Sequence, residues 1–90
     1  MYRVVHSNNF NQQLIKLYSS HPRIDELKQA IEWLLNRTPR FGILIEGDYY
    51  LWVTEQLPIK TVPKVKIFYL VDDDAREVKL LSIAKHVDQP

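Results

Sequence analysis

The segment KVKIFYLVDDDAREVKLLSIAKH, residues 64–86, constrains the fold of this 90-residue chain more than any other. Two runs rich in β-branched and aromatic residues flank the acidic stretch DDDARE, and aspartate favours turns because its side chain can bond its own backbone. The two runs therefore predict an antiparallel hairpin. Side chains alternate along a strand, which predicts two faces in each run. In the first run Ile67, Tyr69 and Val71 oppose Lys66, Phe68 and Leu70, and in the second Val78, Leu80 and Ser82 oppose Lys79, Leu81 and Ile83.

Two helices are predicted upstream of this hairpin. Apolar residues recur at helical spacing over residues 8–19, and Ser7 or Asn8 can cap that helix. The segment SSHPRIDELKQAIEWLLNRTPRFG, residues 19–42, gives a clearer signal, since Pro22 suits a first helical turn, acidic residues follow it, and Pro39 prevents continuation. The apolar stripe of the second helix consists of Ile24, Leu27, Ile31, Leu34 and Leu35. The short connection between the helices predicts an antiparallel helical hairpin.

The remaining β-rich segments complete the predicted order. YRVV, residues 2–5, indicates a first strand, and ILIEGDYYLWVTE, residues 43–55, indicates one further strand before the C-terminal hairpin. The expected fold is α+β and a single domain over residues 1–90: strand, two helices, then three strands. The helical hairpin packs on one face of a small antiparallel sheet and leaves the other face open. Exposed apolar residues on an open face commonly mark a binding surface.

Composition excludes several classes of function. The chain has no cysteine, so disulfides and thiolate metal sites are absent, and a reducing, cytoplasmic location is expected. No stretch approaches the roughly 20 apolar residues of a membrane span. Three scattered histidines match no metal-ligand spacing, and the sequence, with two glycines, contains no glycine-rich phosphate-binding motif, so neither metal nor cofactor is expected. A net charge of +1 gives no bulk attraction for nucleic acid.

The distribution of charge is more informative than its sum. Five lysines lie in the C-terminal third, namely Lys60, Lys64, Lys66, Lys79 and Lys85. They predict either a local basic face or an ordinary solvated sheet face. Four aromatic residues, Tyr49, Tyr50, Trp52 and Phe68, could stack nucleobases. Tyr50 and Trp52 share one strand face opposite Tyr49, so only one of these sets can lie on an open surface, and parity alone leaves both alternatives open.

The residues KIFYLVDDDAREVKLLSIAKH, preceded by two amphipathic helices and a short first strand, resemble the RelE/ParE toxin superfamily of bacterial and archaeal toxin–antitoxin systems. The resemblance implies a toxin that binds a cognate antitoxin in a hetero-oligomer. It also implies a metal-independent mRNA endoribonuclease, with mRNA and the ribosome as partners. Two alternatives stay open: a ParE-like inhibitor of DNA gyrase, and a non-catalytic binding domain of the same fold.

The resemblance also implies roles for individual residues. Lys66 matches an arginine that begins the third sheet run in RelE-like nucleases, and it would stabilise charge on the phosphate. His86 matches the second functional position, a histidine in YoeB-like members, and would act as the general acid. Glu46 stands near the glutamate base of YoeB-like members. Leu51 and Val53 occupy the positions of the RelE-like lysines, which is a departure from the pattern.

Further basic residues around these positions are implied as contacts for RNA. Lys60, Lys64 and Lys85 are the expected RNA-binding residues. Lys60, Lys64 or Glu55 could also replace the missing proton-transfer groups. RNA cleavage without a metal needs a base for the 2′-hydroxyl, a cation for the phosphorane and an acid for the leaving oxygen.

Overall fold

The computed structural model describes residues 1–18, 24–54 and 64–86. Its elements follow in the order β1 (Arg3–His6), α1 (Asn8–Tyr18), α2 (Ile24–Arg37), β2 (Ile43–Glu46), β3 (Tyr49–Val53), β4 (Val65–Asp72) and β5 (Glu77–Lys85). The strands form one five-stranded sheet in the order β1-β5-β4-β3-β2. The predicted α+β class, with two helices between the first strand and the remaining strands, is confirmed.

Two features of the sheet differ from the expectation. The β-rich run after Gly42 forms two strands, β2 and β3, because the chain turns at Gly47, whose φ of 56° lies in the left-handed region that glycine adopts readily. The sheet is mixed, since β1 pairs with β5 in parallel while the other neighbours are antiparallel. A parallel pair needs a long connection, and here both helices and three strands lie between β1 and β5 in the sequence.

Helix α1 begins at a side-chain cap. The Ser7 hydroxyl accepts a hydrogen bond from the Phe10 amide at 3.0 Å, so Ser7 occupies the cap position that the sequence left open between two residues. In α2 the predicted stripe is buried at Ile24, Leu27, Ile31 and Leu35, with Leu34 partly buried beside the core. Pro22 lies outside the described residues.

The core lies between the two helices and one face of the sheet. Buried residues of the helices pack against alternate residues of the strands: Phe10, Leu14, Ile24, Leu27, Ile31, Leu35, Tyr50, Trp52, Val65, Ile67, Tyr69, Val71, Val78, Leu80 and Ile83. Every second residue of β4 is buried, as the alternation predicted. At about 0.8 kcal/mol for each buried CH₂ group, this layer supplies most of the folding free energy.

Strand β5 contains a bulge that changes its predicted faces. Phe68 pairs with Ser82 while Tyr69 pairs with Leu80, so Leu81 is the extra residue. The bulge places Ile83 on the core side with Leu80, and the predicted assignment of Ser82 and Ile83 was wrong because the alternation restarts at Leu81.

Polar side chains near the start of α1 cover the bulge. The Leu81 carbonyl accepts hydrogen bonds from Ser7 Oγ at 3.1 Å and from Asn9 Nδ2 at 3.0 Å. The Ile83 amide donates to Gln13 Oε1 at 2.8 Å. These bonds satisfy backbone groups that β1 is too short to reach, and they fix the last part of β5 against the helix. No helix in the described part of the chain is long and apolar enough to cross a bilayer.

Candidate functional site on the uncovered sheet face

One face of the sheet is free of helices in the described residues. Tyr50 and Trp52 of β3 are buried on the helix side, whereas their neighbours Tyr49, Leu51 and Val53 point to the other side. Leu51, Val53 and the residues of β4 with the same orientation are half-buried or exposed. We call this surface the open face; it comprises Arg3, Val5, Ile43, Glu46, Tyr49, Leu51, Val53, Lys66, Phe68, Leu70, Asp72, Glu77, Lys79, Ser82 and Ala84.

The orientation of β3 decides which of the aromatic residues lie on the open face. Tyr50 stacks on Tyr69 inside the core, with ring centroids 5.5 Å apart. On the open face, Tyr49 stacks on Phe68 with ring centroids 5.7 Å apart and an angle of 11° between the ring planes. Tyr49 is 42% exposed and Phe68 is half-buried, so this second pair can contact a partner molecule.

Lys66 and His86 lie at the same end of the open face. Lys66 is exposed in β4, where it pairs with Val53 on one side and Ala84 on the other. The β5 pairing continues to His86, whose amide donates to the Lys64 carbonyl at 3.0 Å. Since Ala84 faces Lys66 and His86 is two residues further on, alternation places His86 on the same face, diagonally opposite Lys66 at about 7 to 8 Å.

The three lysines predicted to bind RNA do not lie together. Lys64 is exposed, and because it precedes Lys66 by two residues it shares the open face at the same end. Lys85 is exposed but pairs with the buried Val65, so its side chain points toward the helix side. Lys60 lies outside the described residues, as does Glu55. The structure therefore brings Lys64, Lys66 and His86 together and separates Lys85 from them.

Glu46 lies at the opposite end of the sheet. It is exposed at the end of β2 and pairs with Tyr49, whereas Lys66 pairs with Val53 at the far end of β3. Four residues along a strand and two strand spacings across the sheet separate Glu46 from Lys66 by about 17 Å. The structure does not bring Glu46 to the end of the open face that carries Lys66 and His86.

A cavity of about 290 Å³ adjoins His86. Its lining residues come from the segment before β2, from β3 and from the end of β5: Phe41, Gly42, Ile43, Leu51, Trp52, Val53 and His86. The wall is built by a close approach, because the Gly42 amide donates to the Tyr69 hydroxyl at 2.9 Å and a Cβ atom on Gly42 would lie 2.7 Å from the Leu51 carbonyl oxygen. Burial raises the pKa of Tyr69 to about 12.

The far end of the sheet carries an anchored acidic turn. The Tyr2 hydroxyl donates to Asp73 Oδ1 at 2.6 Å, and Arg40 donates to Asp73 Oδ2 at 2.5 Å. These two hydrogen bonds lower the pKa of the Asp73 carboxyl, the Tyr2 bond having the larger effect. The Asp72 carboxylate accepts from the Ala75 amide at 3.1 Å, so an aspartate bonds the backbone of the turn, three residues on rather than two. Lys64 and Lys66 thus lie at one end of the open face, while the other end carries the carboxylates of Glu46 and Asp72 together with Lys79.

Comparison with solved structures identifies the architecture. A chain of the intact E. coli RelBE toxin–antitoxin complex superposes with a TM-score of 0.67 over 98% of this chain and 100% of that chain, at 19% identity. The isolated E. coli RelE toxin gives a TM-score of 0.68 over 99% of this chain and 88% of that chain, at 16% identity. This chain has the RelE toxin fold.

A third solved structure with a similar fold is a mutant of the E. coli RelE toxin in complex with a peptide of the antitoxin RelB. That structure gives a TM-score of 0.62 over 97% of this chain and 85% of that chain, at 20% identity. No protein-family model matches the sequence, and no curated protein matches it either. The RelE fold that the C-terminal residues suggested is thus shown by three-dimensional structure rather than by sequence similarity.

Sequence reasoning missed the cavity beside His86. Gly42 and Tyr69 are 27 residues apart, and no local pattern indicates that the segment before β2 folds back onto β3 and β4. One signal was available, since a glycine followed by a strongly apolar run suggests a close backbone approach. The sequence also left open which aromatic residues lie on the open face. Tyr50 and Tyr69 stack in the core, so Tyr49 and Phe68 are the pair that stacks on the open face.

Proposed function

We propose that this protein is the toxin of a toxin–antitoxin system and that it cleaves mRNA without a metal ion. The observation that carries the proposal is the convergence of Lys66 and His86 at one end of an uncovered sheet face. The RelE fold supports it, because the solved chains with this fold include an E. coli toxin and its complex with an antitoxin. Among the described residues, Lys66 makes no ion pair that would neutralise its charge.

The proposed reaction is an internal transesterification of RNA. The 2′-oxygen of a nucleotide attacks the adjacent phosphorus, the bond from phosphorus to the 5′-oxygen breaks, and a 2′,3′-cyclic phosphate and a 5′-hydroxyl are formed. Lys66 contributes a positive charge to the phosphorane, which gains negative charge as the 2′-oxygen bonds. The His86 imidazolium donates its proton to the leaving 5′-oxygen, and the 2′-hydroxyl proton passes to solvent water. A general base speeds such a step, and Glu46 lies too far from Lys66 to act on the same phosphate.

The proposed partner is a cognate antitoxin that occludes the open face in a hetero-oligomer. The apolar residues of this face, among them Leu51, Phe68 and Leu70, are only half-buried in the chain itself. An apolar segment laid across the sheet would bury them and deny RNA access to Lys66. The mRNA and the ribosome are the proposed targets in the cytoplasm when the antitoxin is absent.

Induced expression in a bacterial host tests the proposal. We expect growth arrest, together with new 5′ ends in transcripts when they are mapped by primer extension. Lys66→Ala and His86→Ala should each abolish the new ends, because each removes a group that acts on the phosphate. Two matched controls are available: Lys79→Ala removes a lysine from the opposite end of the same face, and Lys85→Ala removes a lysine beside His86 on the opposite face. Cleavage that persists in both site variants would contradict the proposal.

A gyrase-directed toxin is the second candidate. It is favoured by Leu51 and Val53, which place aliphatic groups on the open face beside Lys66, where the RelE-like nucleases resembled by this sequence have lysines. In that case expression would arrest growth without new transcript ends, and purified protein would inhibit supercoiling of plasmid DNA by gyrase. Unchanged supercoiling together with RNA cleavage would exclude it.

A further inference from the structure

We infer that the stacked pair of Tyr49 and Phe68 is a nucleobase-binding subsite, and that it holds the nucleotide next to the phosphate bound by Lys66. This inference rests on the proposed function, and it adds two residues to which the proposed cleavage reaction assigns no role. The pair lies on the only large surface that the helices leave uncovered in the described residues, with its ring planes nearly parallel at 11°.

The position of the pair relative to Lys66 suits one nucleotide. Phe68 follows Lys66 by two residues on the same face of β4, a separation of about 7 Å. Tyr49 lies diagonally across β3 from Phe68, because Leu51 is the direct partner of Phe68. A single strand whose phosphate contacts Lys66 can therefore place its neighbouring base against the rings without leaving the sheet surface.

The charges around the pair favour a short single-stranded nucleic acid over an apolar protein segment. Lys64 and Lys66 supply cations at one end, which matches a phosphate backbone. At the other end, Glu46 pairs with Tyr49 and Asp72 lies two residues beyond Leu70, and one further cation, Lys79, pairs with Leu70. The contacts expected are a phosphate at Lys66 and a base on the rings of Tyr49 and Phe68. Because every base has a flat face, stacking of this kind discriminates little between sequences.

The cross-strand neighbours of the stacked pair are apolar. Leu51 and Leu70, each half-buried, are the direct cross-strand partners of Phe68 and Tyr49. The positions directly opposite the two rings are therefore apolar. A base that stacks here gains contact with an aromatic surface that already exists in the free protein, so little ordering is needed on binding.

The test measures binding of fluorescein-labelled, single-stranded hexanucleotide RNA carrying 2′-O-methyl groups, which cannot be cleaved. Fluorescence anisotropy with the full chain should show that Tyr49→Leu and Phe68→Leu each weaken binding by roughly 5- to 160-fold, the range expected for loss of one stacked base. Tyr49→Phe should bind as the wild type does, because it keeps the ring. Leu44→Ala is the matched control, since Leu44 is exposed but lies on the other side of the sheet. Thermal unfolding checks that each variant is folded.

The outcomes separate the subsite from the proposed cleavage. Weakened binding by the two leucine variants supports the subsite even if the protein cleaves no transcript. Unchanged affinity in both variants, with cleavage intact, would overturn the subsite and leave the proposed function standing; the aromatic pair would then belong to a protein-binding surface. Loss of affinity in Tyr49→Phe would also overturn it, because a hydrogen bond from the hydroxyl would then be the contact. If Tyr49→Leu fails to fold, the Phe68→Leu and Tyr49→Phe results decide.

Discussion

Replacing Gly42 with alanine tests whether the wall of the cavity is built as described. The added Cβ would lie 2.7 Å from the Leu51 carbonyl oxygen and 2.9 Å from the Tyr69 hydroxyl. The first neighbour is backbone in the middle of the sheet and cannot move freely. Overpacking of this kind costs about 1 to 3 kcal/mol, and displacing Tyr69 would also weaken its hydrogen bond to the Gly42 amide. We expect a loss of about 2 kcal/mol in the free energy of unfolding.

The assay is equilibrium unfolding in urea, supported by thermal melts. A loss of about 2 kcal/mol should lower the melting temperature by roughly 8 to 16 °C in a domain of this size. Tyr69→Phe alone should cost about 1 kcal/mol, since it leaves the Gly42 amide without its acceptor. The double variant should be less destabilised than the sum of the two, by at least about 0.5 kcal/mol, because removing the hydroxyl relieves one of the two close contacts.

Gly47→Ala is the matched control. No atom lies within 4 Å of a Cβ at Gly47, but its φ of 56° makes alanine costly by about 1 kcal/mol through the backbone alone. Its effect should add to that of Tyr69→Phe without coupling. A Gly42→Ala variant whose free energy of unfolding lies within about 0.5 kcal/mol of the wild type would refute the packing argument. A coupling free energy with Tyr69→Phe that is the same for Gly42→Ala and Gly47→Ala would refute it too.

Three further predictions concern stability. Ser7→Ala should cost about 1 kcal/mol in urea unfolding because it removes the cap of α1, whereas Asn8→Ala should cost less than half of that. Between pH 10 and 12 the unfolded chain ionises Tyr69 while the folded chain keeps it neutral, so wild-type stability should fall with rising pH more steeply than that of Tyr69→Phe; parallel curves would contradict the burial of this hydroxyl. The carboxyl of Asp73 has a lowered pKa in the folded state, so its contribution should be present above the unfolded pKa and lost as the pH falls, and Asp73→Asn should flatten the acid side of the stability profile.

The C-terminal hairpin shows how far sequence reasoning reaches. The alternation of Ile67, Tyr69 and Val71 predicted the buried face of β4 correctly, since period-two patterning and burial are directly linked. The same rule assigned Ile83 to the wrong face, because a single bulged residue reverses the parity of everything after it and leaves no mark in the sequence. Long-range hydrogen bonds from α1 to the bulge stabilise that irregularity, and no local pattern encodes them.

The candidate site shows the same division between local and long-range information. Lys66 was expected on the open face and lies there, because its position depends only on strand parity. The separation of Glu46 from Lys66 depends on the turn at Gly47, which divided the predicted strand in two and sent Glu46 to the opposite end of the sheet. The position of Lys85 on the helix side follows from the bulge. Strand parity was therefore enough to place Lys66, while the placement of Glu46 and Lys85 required the register of the antiparallel strands.

The most direct test of the proposed functional surface is an NMR titration of ¹⁵N-labelled protein with uncleavable single-stranded RNA. We expect the changes in amide chemical shift to be concentrated on β3, β4 and the end of β5. They should be largest near Lys66, Phe68 and His86, and the helices should be unaffected. Shift changes confined to α1 and α2, or to the carboxylate end around Asp73, would contradict the central claim that the cationic end of the open sheet face is the functional surface.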